Sequence, residues 1–308
     1  MVTVLLFPGQ GAQKVGMAKD LADRFPAARQ TLESIDQALG FPLSRIMTEG
    51  PEDALQQTSN TQPAILAHSA AVLTLVAGRL GPVSGAAGHS LGEYSAYVAA
   101  GALSALDAAR LVRRRGELMQ EAGSQRPGAM AAVLGMASDE VVAQCSAVST
   151  PGDVAVAANL NAPDQTVISG DPGAVDRAGT ACKAAGAKRV LPLKVSGAFH
   201  SPLMAPAVPG LAAALAAVPF ADPAFPIMAN ASAAAVTTAA LAKRRLEEQL
   251  TAPVRWIECV RALAALAPVV RFVEIGPGKV LGGLVKRIVD DAEYVGLGTA
   301  DEVEAFLR

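Results

Sequence analysis

The most specific chemical motif in this sequence is GHSLG at residues 88–92, which lies between a weak strand pattern at 83–87 and a helical pattern at 94–100. In a GxSxG turn the serine occupies a strained strand-to-helix junction, and the flanking glycines avoid collisions that a Cβ would cause. The N-terminus of the following helix favours negative charge. The backbone N–H of Leu91 could therefore stabilise an oxyanion. We predict that Ser90 is a nucleophile, against the alternative of an ordinary serine in a tight turn.

A serine nucleophile needs a general base, and the chain has three histidines. His68 lies within an apolar helical pattern, which favours a packing role. His89 adjoins the serine, so its side chain should point away from it and serve a structural purpose. His200 lies in the loop GAFHSP at residues 197–202, and we predict that it is the base.

One arginine faces the apolar side of a predicted helix. Arg113, Arg114 and Arg115 are consecutive, so they cannot share a helical face. Arg115 falls within an apolar stripe, and we expect Arg113 and Arg114 on a solvated face. An inward guanidinium needs an anion. Periodicity leaves open whether that anion is a structural carboxylate or a substrate carboxylate. The stripe comprises Ala108, Leu111, Val112, Leu118, Met119 and Ala122.

A glycine-rich segment, GQGAQ at residues 9–13, follows an apolar strand pattern at 2–7. Gln10 could offer an amide to an oxyanion there. The GxGxxG spacing of dinucleotide-binding loops is absent, which argues against a nucleotide site. A plain surface turn remains the alternative.

The elements expected around these motifs indicate an α/β fold. The order strand, helix, strand, strand, helix, strand between residues 129 and 193 predicts a ferredoxin-like (βαββαβ) subdomain. We expect it as an insertion at 127–195 within a large α/β domain formed by 1–126 and 196–308. We also expect an apolar helix over 63–80 with Pro63 in its first turn, an N-cap at Ser138, and a helix over 280–289.

Composition narrows the class of protein. Of the 308 residues 51% are hydrophobic and the net charge is −2, which argues against disorder and gives no electrostatic case for nucleic acid or an anionic membrane. The cysteines form no CxxC pair, so we expect reduced thiols and neither a zinc site nor a disulfide framework. They are Cys145, Cys182 and Cys259. Without a basic segment before an apolar stretch or an apolar run of membrane-spanning length, we expect a soluble cytoplasmic monomer that needs no metal or cofactor.

Taken together, the motifs resemble the malonyl-CoA:acyl carrier protein transacylases over nearly the whole chain and in the family's order. The matching stretches are FPGQGAQ, QPA at 62–64, GHSLGEYSA, RGELMQEA, GAMAAVLG, NxNAPxQxVISG from Asn159, GAFHSPLM, QLTAPVRW from Gln249, and EIGPGKVL. The resemblance implies a large α/β-hydrolase-like domain with the ferredoxin-like insertion. It also implies a malonyl transfer in fatty-acid synthesis, with the coenzyme A thioester as substrate.

The resemblance assigns the chemical roles. Ser90 would be acylated by malonyl-CoA, and His200 would activate it and later the carrier's pantetheine thiol. The backbone of Leu91 and the Gln10 region would form the oxyanion hole. Arg115 would pair with the malonyl carboxylate, which decides the alternative that periodicity left open.

The resemblance further implies that the Gln249 carbonyl orients His200, where a hydrolase would use a carboxylate. Leu91 and Phe199 fit the family's pattern for malonyl rather than methylmalonyl groups. Met119 and Asn161 would line the substrate site. Carrier proteins of this kind are acidic, so the basic pair Lys286 and Arg287 could receive one, with plain surface charge as the alternative.

Three other functions remain open at this level. A serine esterase or thioesterase would use the same nucleophile, although Asp107 is the only aspartate between Ser90 and His200 outside the predicted insertion, and it opens a helix. A non-catalytic docking protein would not need both Ser90 and His200. A malonyltransferase serving polyketide synthesis or malonate decarboxylation would share all of the chemistry and differ in its partner.

Overall fold

The computed structural model describes residues 2–308. These residues form two β-sheets surrounded by helices. The strands are β1 (Val2–Phe7), β2 (Val83–Gly88), β3 (Ala129–Leu134), β4 (Ala155–Ala162), β5 (Gln165–Gly170), β6 (Arg189–Pro192), β7 (Ile227–Met228), β8 (Ala235–Val236), β9 (Val270–Ile275) and β10 (Glu293–Leu297). The helices are α1 (Lys19–Arg24), α2 (Pro26–Leu39), α3 (Leu43–Glu49), α4 (Glu52–Gln56), α5 (Thr58–Val76), α6 (Gly92–Ala99), α7 (Ala105–Gln125), α8 (Ser138–Val148), α9 (Pro172–Ala184), α10 (Val208–Ala217), α11 (Ala239–Glu248), α12 (Trp256–Ala264), α13 (Val280–Val285) and α14 (Ala300–Leu307).

The larger sheet places two loops side by side. Its strand order is β10-β9-β1-β2-β7-β8, and every pair is parallel except the β7–β8 hairpin. The register sets Phe7 of β1 beside Gly88 of β2. The loop carrying Gln10 and the loop carrying Ser90 therefore leave the sheet at the same edge, where parallel α/β sheets bind ligands.

The helix expected at Pro63 begins earlier, at Thr58, so the prediction of its start was wrong: Pro63 is the sixth residue. The first turn is polar but entirely buried, which periodicity could not indicate. Pro63 has no N–H for the carbonyl of Ser59, four residues before it. That carbonyl instead accepts a hydrogen bond from Nη1 of Arg113 at 3.1 Å. Arg113 is thus half-buried against α5 and stacks on Phe41 at 4.9 Å, contrary to the expected solvated face.

This helix together with the turn that follows it, residues 58–79, is long and apolar enough by composition to cross a membrane, but 72% of its 18-residue apolar window is buried inside the protein. It packs against α7, α2 and α6, as a core helix does.

The smaller sheet is antiparallel and has the strand order β4-β5-β3-β6, with α8 and α9 as its helices. Its element order agrees with the sequence prediction, and it has a separate apolar cluster that includes Val133, Ile168 and Val175. The predicted N-cap was one residue late. Ala137 occupies the N-cap position of α8 without a side-chain cap, and the Ser138 hydroxyl bonds to Thr166 Oγ1 at 2.9 Å instead.

Helix α13, which follows strand β9, is shorter than expected. It ends at Val285 rather than at residue 289, because the N–H groups of Arg287 and Ile288 turn back to carbonyls three residues earlier. Its start is stabilised by Glu274, whose carboxyl accepts the N–H groups of Leu281 and Gly282.

The three cysteine thiols are free and buried. In residues 2–308 no group of three or more His, Cys, Asp or Glu side chains is arranged to hold a metal ion.

Candidate active site

The GHSLG motif forms the predicted strand-to-helix turn. Strand β2 ends at Gly88, helix α6 begins at Gly92, and Ser90 between them has a φ of +52°. A Cβ on Gly88 would lie 1.9 Å from the Gly92 carbonyl, and one on Gly92 would lie 2.2 Å from the Phe7 carbonyl oxygen. Both glycines are therefore required by close approach of the backbone.

Two side chains from distant segments hold the strained turn in place. Asn230 accepts the Ser90 N–H on Oδ1 at 2.7 Å and donates from Nδ2 to the Gly88 carbonyl at 2.8 Å. Gln249 donates from Nε2 to the Ser90 carbonyl at 3.1 Å. The turn is thus hydrogen-bonded on both sides of the serine.

His200 lies within hydrogen-bond distance of the serine. Its Nε2 is 2.7 Å from Ser90 Oγ, and its Nδ1 is 3.0 Å from the backbone carbonyl oxygen of Gln249. Because a carbonyl can only accept, Nδ1 carries the proton and Nε2 is free to accept one from the hydroxyl. Burial and the nearby Arg115 charge lower the pKa of His200 to about 3. The imidazole is therefore neutral and available as a base.

Arg115 faces inward, as its place in the apolar stripe predicted, and its side chain is almost completely buried. Its Nη1 donates to Gln62 Oε1 at 2.7 Å, and its Nη2 donates to Gln249 Oε1 at 3.0 Å and to Ser90 Oγ at 3.1 Å. Within residues 2–308 its hydrogen-bond partners are thus amide and hydroxyl oxygens rather than a carboxylate. A buried guanidinium in this state attracts an anionic ligand.

The oxyanion candidates lie beside the nucleophile. Gln10 and Leu91 both line the cavity that contains Ser90, whose volume is about 410 Å³. The backbone N–H groups of Gln10 and Leu91 find no acceptor in the described part of the chain. The Gln10 side chain points to Thr58 Oγ1 at 3.5 Å. Two free N–H groups at one cavity wall can stabilise developing negative charge.

The same cavity collects the other predicted substrate residues. Met119 from α7, Phe199 from the segment before His200 and Asn161 from β4 all line it. Asn161 accepts a hydrogen bond on Oδ1 from Nε2 of His89 at 2.8 Å. His89 therefore bonds to the smaller sheet rather than to Ser90, which agrees with the structural purpose expected from the sequence.

The predicted carrier contacts are less uniform. Lys286 is exposed. Arg287 is exposed as well, but it is already paired with the Asp164 carboxylate and with Gln165. Of the two, Lys286 is the cation without an ion-pair partner in residues 2–308.

Sequence reasoning did not assign roles to three buried polar residues at this site: Gln62, Glu93 and Asn230. All three side chains are fully buried. Gln62 ends the polar segment TSNTQ and Glu93 lies between Gly92 and Tyr94, so neither position indicates burial by itself. Nothing local marks Asn230, because its partners are about 140 residues away in sequence.

Comparison with known proteins places the chain among acyltransferases. The family model described as "Acyl transferase domain" matches residues 4–303. The chain is 44% identical over 303 residues to the malonyl CoA-acyl carrier protein transacylase of Bacillus subtilis, covering 98% of this chain and 95% of that protein. It is 44% identical over 304 residues to the protein of the same name from Escherichia coli K12, covering 98% of each.

Solved structures agree with these relatives. An acyl-carrier-protein S-malonyltransferase from Bartonella henselae superposes with a TM-score of 0.94 at 42% identity, covering 100% of this chain and 99% of that one. A malonyl-transacylase in complex with its type II PKS acyl carrier protein gives a TM-score of 0.95 at 42% identity, again covering 100% and 99%.

Proposed function

This chain belongs to the acyl transferase family and is a malonyl-CoA:acyl carrier protein transacylase, and we propose that it transfers the malonyl group through an ester on Ser90. The observation that carries this mechanism is the chain of contacts from Ser90 Oγ to His200 Nε2 at 2.7 Å and from His200 Nδ1 to the Gln249 carbonyl at 3.0 Å. Nucleophile, base and the group that orients the base are in contact, which is the arrangement that covalent catalysis needs.

In the first step the Ser90 hydroxyl attacks the thioester carbonyl while its proton passes to His200 Nε2. The oxygen of the tetrahedral intermediate accepts from the N–H groups of Leu91 and Gln10. Collapse breaks the carbon–sulfur bond, and the departing coenzyme A sulfur takes the proton from His200. The product is a malonyl ester on Ser90.

Selection of a malonyl group is assigned to Arg115. Its guanidinium lies 3.1 Å from Ser90 Oγ and has no carboxylate partner in residues 2–308. The free carboxylate of a malonyl group bound to Ser90 would supply one. An acetyl group would leave the buried cation unpaired, which is costly.

In the second step the pantetheine thiol of the carrier replaces coenzyme A. His200 takes the thiol proton, the sulfur attacks the ester carbonyl, and Ser90 leaves with that proton. An acidic carrier protein would approach near exposed basic residues such as Lys286. The transfer is reversible because both the donor and the product are thioesters.

The remaining features of the proposal concern the molecule as a whole. The larger domain, 1–126 and 196–308, is proposed to be α/β-hydrolase-like, and 127–195 a ferredoxin-like insertion; the antiparallel order β4-β5-β3-β6 and the separate apolar cluster support the latter. We further propose a cytoplasmic monomer without a cofactor, acting on malonyl-CoA and a carrier protein of fatty-acid synthesis, and not on nucleic acid or membranes. A carrier of polyketide synthesis or a malonate decarboxylase system is the alternative partner.

A thioesterase is the alternative reaction. It is disfavoured because a backbone carbonyl, and not a carboxylate, contacts His200 Nδ1, and because a plain esterase has no use for the buried Arg115.

The test is to incubate the protein with malonyl-CoA alone and to measure its intact mass. We expect a stable malonyl adduct on the wild-type protein. Ser90→Ala should form none, and Arg115→Ala should form much less while gaining reactivity towards acetyl-CoA. Steady release of coenzyme A without an adduct would indicate a hydrolase. If the protein forms no adduct and releases no coenzyme A, the catalytic role is contradicted.

A further inference from the structure

Glu93 is a fully buried carboxyl group close to the nucleophile. It is the second residue of α6, three positions after Ser90, and its exposure is 0%. One of its oxygens, Oε2, accepts two hydrogen bonds: from the Asn230 N–H at 2.9 Å and from Gln249 Nε2 at 2.7 Å. A carboxyl group is rarely buried unless it is hydrogen-bonded to specific partners.

Its two partners are the residues that hold the reacting groups. Asn230 accepts the Ser90 N–H, and Gln249 donates to the Ser90 carbonyl. Gln249 also binds Arg115 through Oε1 and His200 through its backbone carbonyl. Ser90, His200 and Arg115 each therefore contact a residue that is hydrogen-bonded to Glu93.

The orientation of Gln249 depends on this anchor. An amide side chain has two possible orientations, and only one of them directs Oε1 to Arg115 and Nε2 to the Ser90 carbonyl. Oε2 of Glu93 accepts the hydrogen bond from Gln249 Nε2, and this contact selects that orientation. Burial raises the pKa of Glu93 to about 7, whereas its hydrogen bonds to Asn230 and Gln249 act in the opposite direction.

We propose that Glu93 is a positioning residue for acyl transfer: it fixes Gln249 and Asn230, and through them the geometry of Ser90, His200 and Arg115, without contacting the substrate. This inference rests on the acyl-enzyme mechanism proposed above. A conventional triad places a carboxylate directly on the histidine. Here the carboxylate acts one residue further away, through Gln249.

Glu274 offers a matched control. It is also a fully buried carboxyl, and it accepts hydrogen bonds from the N–H groups of Leu281 and Gly282 and from the Tyr294 hydroxyl. None of these partners bonds to Ser90, His200 or Arg115 within the part of the chain that the structure describes. A substitution there tests the general cost of losing a buried carboxyl.

The experiment measures the rate of malonyl-adduct formation in rapid-quench reactions over a range of malonyl-CoA concentrations. For Glu93→Ala we expect a maximal rate that is roughly 100-fold lower, with a half-saturating concentration changed by less than about threefold, because the loss lies in orientation rather than binding. Glu93→Gln keeps an oxygen that can accept both hydrogen bonds, and it should recover to within about tenfold of wild type. Glu274→Ala should lower the unfolding temperature but acylate at the wild-type rate per folded molecule.

A folded Glu93→Ala variant that acylates at the wild-type rate would overturn the inference. So would a Glu93→Gln variant no faster than Glu93→Ala. If the alanine variant does not fold, the acylation rates of Glu93→Asp, Gln249→Ala and the double variant are compared instead. A combined loss smaller than the product of the two single losses supports action through Gln249, and a loss equal to that product contradicts it. A wild-type protein that forms no adduct would instead contradict the proposed function itself.

Discussion

At the scale of single residues, the orientation of Arg115 is set before a substrate arrives. Two amide oxygens, one from Gln62 and one from Gln249, hold the two ends of the guanidinium. The Gln62 amide is itself held, because its Nε2 lies 3.3 Å from the Met119 sulfur. The planar, forked donor of an arginine suits this clamp in a way that a lysine ammonium would not.

These two amide oxygens on Arg115, the clamp formed by Gln62 and Gln249, predict a binding defect when the Gln62 oxygen is removed. Gln62→Leu has a similar size but leaves Nη1 of Arg115 without its acceptor. We expect the half-saturating malonyl-CoA concentration for adduct formation to rise roughly 10- to 100-fold, the effect of losing a hydrogen bond to a buried charge. Gln125→Leu, on the exposed last turn of α7, is the control and should behave as wild type. Unchanged saturation in Gln62→Leu would contradict the role of the clamp.

At the scale of secondary structure, two helices bring charge to the reacting groups. Helix α11 ends at Glu248, and the Gln249 carbonyl at its C-terminal end accepts from His200. The partial negative charge of a helix C-terminus stabilises a cation. In the proposed mechanism it would thus assist the imidazolium formed during transfer, while burial and Arg115 keep the ring neutral at rest.

Helix α7 positions both the guanidinium and the segment that carries the base. Gly123, two turns after Arg115, lies against the segment that returns from the smaller sheet. A Cβ on Gly123 would be 2.2 Å from the Ser196 carbonyl oxygen. That segment continues directly into Phe199 and His200. Close packing at Gly123 therefore constrains the position of the segment that leads to His200.

This packing makes Gly123→Ala a test of the helix. Alanine normally stabilises a helix relative to glycine, but here the overpacking should destabilise the protein by about 1–3 kcal/mol. Displacement of the return segment should also lower the rate of adduct formation at least about tenfold, since misplacement by an ångström has that effect. Gly78→Ala, where a Cβ meets nothing within 4 Å, serves as the control. Thermal unfolding and adduct rates would be measured for both, and a Gly123→Ala variant as stable as Gly78→Ala would contradict the prediction.

At the scale of the whole molecule, burial of titratable groups makes stability depend on pH. The pKa values of His68, His89 and His200 are all lowered, mainly by burial. A histidine whose pKa is lowered in the folded state contributes stability that is fully present above the pKa of the unfolded chain. This stability is lost as the pH falls towards the pKa of the folded state. Glu93 and Glu274 act in the opposite direction, because burial raises their pKa values.

His68 isolates one of these contributions away from the active site. Its Nε2 bonds to the Gly298 carbonyl at 2.8 Å, and burial lowers its pKa to about 4. We expect His68→Gln to be less stable than wild type at pH 7.5 by about 1–2 kcal/mol. The difference should shrink at pH 5, where wild type loses up to about 2 kcal/mol by keeping the ring neutral. Urea unfolding at both pH values measures it, and a constant difference would show that His68 does not titrate in this way.

Local patterns were sufficient for much of this protein. The strand β3 was predicted with its observed ends, and the GxSxG turn and the inward face of Arg115 follow from residue spacing alone. Each depends on interactions within about one turn of helix or one strand, which periodicity and glycine placement report directly. The resemblance to a known family then supplied the substrate, which no local pattern specifies.

The tertiary structure decided what lies beneath the nucleophile. Hydrogen bonds between segments more than 50 residues apart explain the early start of α5 and the partial burial of Arg113. The positions of Gln62, Glu93 and Asn230 depend on such bonds as well. A buried polar side chain is tolerated only where a distant partner satisfies it. The sequence by itself determined which groups could react. Only folding determined which neighbours orient them, because those partners come together only when the two sheets and their helices pack.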